Sequence, residues 1–221
     1  MSFNIEVQGG SSVRLPTAGK YCDRDIVVTA TGGSNDLAKQ IITRSIESIS
    51  DDSIETIGEY AFCSCTSLTE ASFQNCTAVN VYAFDKSGLV TADFPKLQKV
   101  NSNVFASCFS LKNINLPEAI QLTSNSFNGC GSLEKIDLPK VTTLNTAVFR
   151  NCDLLAVVIL RANSVCYLGA TTSFENTPIA NGTGYIYVPS ALVDRYKTTT
   201  NWSAFANQFR AIEDYPDICG G

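Results

Sequence analysis

The stretch Phe127-Asn128-Gly129-Cys130-Gly131-Ser132-Leu133-Glu134-Lys135-Ile136-Asp137-Leu138-Pro139 decides the architecture, because variants of it recur on both sides at a nearly fixed distance. Its aromatic residue returns as Phe62, Phe84, Phe105, Phe149 and Phe174, so the series runs at spacings of 22, 21, 22, 22 and 25. Three residues after each Phe stands a small, mildly polar side chain: Cys65, Ser87, Cys108, Cys130, Cys152 or Thr177. Six after it stands Leu68, Leu111, Leu133 or Leu155, while the second unit is one residue short and uses Leu89. Nine after come Ala71, Ile114, Ile136 and Val158, and eleven after come Phe73, Leu116, Leu138 and Leu160. Five before the Phe stand Ile57, Val79, Val100, Leu122 and Leu144.

These offsets have a physical reading. The pairs Ile114/Leu116 and Ile136/Leu138 alternate with polar residues, which is strand patterning with one face buried. Pro95, Pro117 and Pro139 then stop the strand, since proline donates nothing to a ladder. The chain crosses a core and returns with another hydrophobe and the next Phe. One unit of about 22 residues cannot bury its own apolar face, whereas stacked copies bury a continuous one.

At these residues the sequence resembles a known family, the BspA-like leucine-rich repeats of bacterial surface proteins. The resemblance is carried by Ile57-Gly58-Glu59-Tyr60-Ala61-Phe62-Cys63-Ser64-Cys65-Thr66-Ser67-Leu68 and by the stretch from Phe127 to Pro139, and it covers roughly Ser53 to Pro189. It implies a right-handed solenoid with a parallel sheet along one side, mainly β with short helical segments. It also implies adhesion and surface recognition as the family's work.

The flanks do not follow the repeat. Residues 1–33 read as a small β module: Phe3–Val7 alternates, Gly9-Gly10 makes a turn, and Asp25–Ala30 forms a second strand. Its Leu15–Tyr21 segment is similar to short modules on bacteriophage tail and prophage-encoded proteins. Residues 34–52 read as a linker and N-terminal cap, with Ser34 or Asn35 capping a brief helix that carries Leu37, Ile41 and Ile42. Residues 53–189 hold about six repeat units. Residues 190–221 read as a helical cap: Ser190 starts one helix, and Asn201 starts another with Trp202, Phe205 and Phe209 on one stripe. That stripe either closes the open end of the solenoid or builds a ligand pocket on Trp202.

Composition narrows the function class. Apolar residues make up 44% of the 221 and charged residues 17%, as in a packed protein. The net charge of −5, without a basic stripe, argues against nucleic acid as partner. No apolar run is long enough for membrane insertion, and Met1–Glu6 carries no secretory signal pattern. The chain has no histidine, which removes the commonest general base and metal ligand together. There is no nucleophile elbow and no Ser-His-Asp set. Gly129-x-Gly131 is not a nucleotide loop, because Glu134 takes the place of the third glycine. Asp51-Asp52 reads as a solvated pair. The reading is therefore of a protein that is not an enzyme, with no catalytic, cofactor or metal residues.

Nine cysteines are present, an odd number. Cys65, Cys108, Cys130 and Cys152 fall on one rung position, where stacking gives parallel side chains on the order of 5 Å apart. Parallel vectors do not converge on a tetrahedral metal, nor do they aim Cβ at Cβ for a disulfide. They read as buried structural thiols. Cys63-x-Cys65 is a weak metal or redox signal.

The surface is then assigned by alternation. If Leu68, Ala71 and Phe73 point inward, Glu70 and Ser72 point outward. Unit by unit the outward row continues through Thr91 and Asp93, Asn113 and Asn115, Lys135 and Asp137, Val157 and Ile159, and finally Tyr185 and Tyr187. It changes from polar to apolar along the solenoid. The apolar end is expected to be one contiguous patch, covered by the C-terminal helices, by a second subunit, or by a protein partner. The polar part is a candidate site for sugars or polar peptides. The function expected is a binding and adhesion module for a protein or glycan receptor, on a cell surface or a phage tail. A purely structural virion or assembly role is the alternative.

Overall fold

In a computed structural model the described residues are 47–220, together with the backbone of residues 12–14, 29–31 and 34–37. The expected features at Phe3–Val7, Gly9-Gly10, Leu15–Tyr21, Ile41 and Ile42 lie outside them. The chain forms a solenoid of stacked coils, mostly short strands with a few helical turns. Each coil contributes one strand to a front row and one two-residue strand to a back row.

The back row is a single sheet of eight strands, from Tyr167–Leu168 through Thr143–Leu144, Gln121–Leu122, Lys99–Val100, Ala78–Val79 and Thr56–Ile57 to Ser34–Leu37 and Thr29–Thr31. All neighbours are parallel except the last pair. The hydrophobe five residues before each Phe falls here, and Ile57, Val79, Val100 and Leu122 are fully buried. The front row has two parts. Ser48–Ser50, Glu70–Ser72, Thr91–Asp93 and Asn113–Asn115 form parallel ladders, with Ser12–Arg14 antiparallel at the edge. Lys135–Leu138, Val157–Leu160, Tyr185–Val188 and Phe209–Ala211 form the other part. Among the described residues no strand pairing joins Asn113–Asn115 to Lys135–Leu138. Ile114, at that break, is half-buried, whereas its counterparts Ala71, Ala92, Ile136 and Val158 are buried.

Two expectations for residues 34–52 are corrected. Ser34–Leu37 is a strand rather than the start of a helix. Its Asp36-Leu37 pairs in register with Thr56-Ile57, supplying partners for backbone groups that would otherwise end the back row unpaired. Ser48–Ser50 is a strand rather than linker, paired in register with Glu70–Ser72, so the front row begins one coil earlier than Ser53.

The core is a stack. Phe62, Phe84, Phe105, Phe127, Phe149 and Phe174 are all fully buried, with successive ring centroids 4.9, 5.5, 5.3, 5.7 and 5.7 Å apart. This is the offset stacking that aromatic quadrupoles favour. Backbone geometry holds it. In most coils the residues two before and two after the Phe have positive φ, including Tyr60, Tyr82, Asn103, Asn125 and Ala147 on one side and Ser64, Lys86, Ser107, Gly129 and Asn151 on the other. Left-handed residues on both sides turn the chain sharply around each ring. In the short second coil a Cβ on Gly88 would stand 2.0 Å from the Thr66 carbonyl oxygen, so only glycine fits there.

The thiols line the inward turn. Cys108, Cys130 and Cys152 are buried, and their S–H groups donate to the carbonyls of Phe84, Phe105 and Phe127 at 3.1 Å each. Thr177 donates instead within its own coil, to the Phe174 carbonyl at 2.7 Å. Burial pushes the Cys108 thiol up to about 12 and the Cys130 thiol well above its ordinary value, so neither is a reactive thiolate near neutral pH. Cys63 is half-buried, faces Asp85, and is likewise raised, mainly by burial.

The C-terminal end is closed by aromatics. Trp202 is fully buried, 5.8 Å from Phe174, and its indole N–H donates to the Cys166 carbonyl at 2.6 Å. The Tyr196 hydroxyl accepts from the Cys166 N–H at 2.9 Å. Trp202 therefore ends the ring stack and offers no open pocket. The local detail differs from the expected helices. Ser190–Leu192 is a 3₁₀ turn leading into a short α-helix at Val193–Thr198, and the Ser190 N–H donates to Glu213 rather than the serine capping a helix. Trp202–Gln208 is kinked 3₁₀ backbone, because Phe205 leaves helical geometry to reach Phe174. Asn201 does not cap it; its amide donates to the Leu168 carbonyl at 2.7 Å.

Candidate functional site

The outward side chains of the front row fall into two neighbouring sites. The first is a trough of ≈ 840 Å³ over the first five coils. Its walls are the polar residues expected from alternation: Glu70, Ser72, Thr91, Asp93, Asn113, Asn115, Lys135 and Asp137. Glu70, Asn113, Asn115 and Lys135 are exposed, and Ser72, Thr91, Asp93 and Asp137 are half-buried. Ser48, Ser50, Lys112, Ser132 and Glu134 complete the walls. The floor consists of Ile49, Ala71, Ala92, Ile114 and Ile136.

The polar groups are tied together. Asp93 accepts from the Gln74 amide at 2.6 Å and from the Asn115 amide at 2.7 Å, and Gln74 also donates to the Ser72 hydroxyl at 3.0 Å. These bonds fix three planar groups side by side. Asp137 is held by Arg161 in a forked pair at 2.9 and 2.7 Å. Asp51, read as solvated, is buried instead and accepts from both the Ser53 N–H and hydroxyl, an Asx turn at the edge of the row.

The second site is the apolar end. Val157, Ile159, Tyr185 and Tyr187 do lie together on the outer face and form a cluster separate from the main core. They are not an open patch. Ile159 is fully buried, Tyr187 is 2% exposed, and Val157 and Tyr185 are half-buried. The cover is the chain's own C-terminal segment: Ile212, Ile218 and Cys219 pack on the cluster, and Tyr215 meets Tyr187 edge-on at 5.4 Å. Arg210 lies 4.2 Å over the Tyr185 ring. Lys135 donates to the Ile218 carbonyl and Arg161 to the Cys219 carbonyl. Of the occupants left open by the sequence, an element of the same chain holds the position.

Alternation alone could have extended the trough, since Ser48 and Ser50 stand 22 residues before Glu70 and Ser72. Nothing in the sequence marks Gln74, Arg161 or the tail, whose partners are 19 to 83 residues away.

A profile for the BspA type Leucine rich repeat region matches the chain in six copies over residues 39–181. The chain belongs to this family. No curated protein matches it in sequence. A leucine-rich repeat protein from Bacteroides ovatus ATCC 8483 is similar in structure, with a TM-score of 0.58 at 22% identity over 75% of this chain. The match spans 42% of that protein's length. A leucine rich cell surface protein from Faecalibacterium prausnitzii A2-165 shares 16% identity over 85% of this chain and 76% of its own, with a TM-score of 0.33. The Bacteroides likeness concerns the fold. The BspA-type repeats here are a scaffold of short parallel strands, and among the described residues no cluster of acidic or thiol side chains is arranged to hold a metal. No described helix is long and apolar enough to cross a membrane.

Proposed function

We propose that this chain is a binding module whose polar trough takes a glycan receptor, on a bacterial cell surface or a phage tail. The observation that carries the reading is the Asp93–Asn115 pair in the trough wall, steadied from outside the trough by the Gln74 amide. A carboxylate and an amide held side by side offer an acceptor and a donor of the kind that sugar hydroxyls bind. Glu70, Thr91, Asn113 and Lys135 continue that polar surface along successive coils, which suits an extended chain of sugar units. Repeat membership supports a recognition role, and the absence of histidine argues against acid–base catalysis. A polar peptide would meet the same groups but would also need apolar pockets for side chains, and the floor supplies little beyond Ile114.

The test is an oligosaccharide array probed with the intact chain, followed by affinity measurements on Asp93→Ala. Loss of a carboxylate holding two amides is expected to weaken glycan binding about tenfold or more. The melting temperature should stay within a few degrees. Undiminished glycan binding by Asp93→Ala would place the site elsewhere.

A further inference from the structure

The covered end of the front row has the features of a peptide-binding site with its occupant in place. We infer that this end recognises a peptide segment of a partner protein, and that the C-terminal tail is a displaceable stand-in for it. The class of ligand is a short segment with one branched apolar side chain followed by a small apolar one, and two successive free carbonyls.

The occupant shows how such a segment is read. Lys135 and Arg161 take the consecutive carbonyls of Ile218 and Cys219, and these contacts depend on main chain rather than on side-chain identity. The side chains of Ile218 and Cys219 enter the cluster of Val157, Ile159 and Tyr187. Polar capture of main-chain carbonyls together with apolar side-chain contacts is enough to hold a short peptide segment.

The tail is tied at separate points rather than along its length: Glu213 accepts from Ser190, Tyr215 meets Tyr187, and Lys135 and Arg161 take two carbonyls. From Glu213 to Asp217 every residue is exposed, and of the last described residues only Cys219 is buried. It adds no strand to the sheet beneath; Pro216–Cys219 is a single helical turn. Segments with few buried contacts open at low free energy. Opening would bare Ile159 and Tyr187, now 0% and 2% exposed, in one patch. Two cations would lose their carbonyl partners at the same moment. The site adjoins the trough, since Lys135 and Asp137 line the trough and Arg161 holds Asp137. The inference does not depend on what the trough binds, and its test uses no glycan.

The test uses the full chain and a fluorescein-labelled peptide with the sequence Asp-Tyr-Pro-Asp-Ile-Cys-Gly, in reductant, read by anisotropy. Ile218→Asp drives the tail off without touching the receiving surface. This variant is expected to bind the peptide at least about tenfold tighter than the unmodified chain, because the competing cis segment no longer fills the site. Adding Arg161→Ala to Ile218→Asp should return binding to background. Equal binding by the two chains, or none by a folded Ile218→Asp chain, would overturn the inference. So would a stable dimer of Ile218→Asp in sedimentation, which would make a second copy the occupant. Hydrogen exchange on the unmodified chain needs no variant: amides of residues 217–220 should exchange at least about a hundredfold faster than those of Tyr185–Val188, as a local opening requires. Exchange of the two regions at one rate would show the tail to be a fixed part of the fold.

Discussion

The two halves of the front row stand on the same core and meet solvent differently. From Ser48 to Asn115 the outward side chains are polar, open and bonded to one another. From Val157 to Tyr187 they are apolar and lie beneath the chain's own tail. Inward positions repeat closely because each must stack on its neighbours. Outward positions have no such neighbour constraint, so they are free to diverge into a wet surface at one end and a covered one at the other. The repeat thus places the stacking core and the variable surface on alternate positions of each strand.

This contrast can be tested in order of expected effect. Phe127→Ala removes a ring stacked on both sides and should destabilise the whole solenoid by roughly 3–5 kcal/mol, read as a lower denaturant midpoint. An equal effect is expected from Phe105→Ala, since the core does not distinguish the halves.

The buried thiols give a second shared property. Burial raises Cys76, Cys108 and Cys166 each to about 12. The folded state therefore holds protons that the unfolded state releases above its ordinary thiol range. Stability is fully present below about pH 9 and is lost as pH rises toward about 12, at about 1.4 kcal/mol per pH unit for each thiol. Denaturation series across that window would check the slope, and Cys108→Ser should flatten it.

The halves should separate when outward residues are truncated. Ile159→Ala is expected to cost about 2 kcal/mol, as for a buried aliphatic side chain. Asn115→Ala should stay within about 0.5 kcal/mol, as for an exposed site, even though it frees one oxygen of Asp93. Similar values for the two would mean that the tail contributes no burial in solution.

The smallest effect concerns the turns. Ala147 sits at φ 56°, where a Cβ is disfavoured, while its counterparts Asn103 and Asn125 tolerate that region. Ala147→Gly should stabilise by about 1 kcal/mol, seen as a higher melting temperature.

How much of this was legible follows from how far each contact reaches along the chain. The ring stack, the inward cysteines and the outward row were all readable, because contacts between coils repeat every 22 residues or so and leave a period in the sequence. The trough residues Asp93 and Asn115 came from that period alone. The cover over Ile159 and Tyr187 did not, since Ile218 and Cys219 are single apolar residues in a tail with no period to betray their partners. Ser34–Leu37 was misread for a related reason: Leu37 followed by Ile41 imitates helical spacing, and the partner that makes the segment a strand is Thr56-Ile57 in the next coil. The left-handed turns were marked only faintly, by Asn, Ser and Gly recurring beside the phenylalanines.

The gap in the front row between Asn113–Asn115 and Lys135–Leu138 has a mechanical meaning. A stacked-repeat protein is held together by terms between nearest neighbours. The back row runs unbroken past this level through Lys99–Val100, Gln121–Leu122 and Thr143–Leu144. At this level the coils are therefore joined by the back row, by the backbone bonds of the turns (Phe105 to Ser126, Ser107 to Asn128, Ser132 to Phe109) and by the ring stack, while the front row contributes side-chain surface without a ladder.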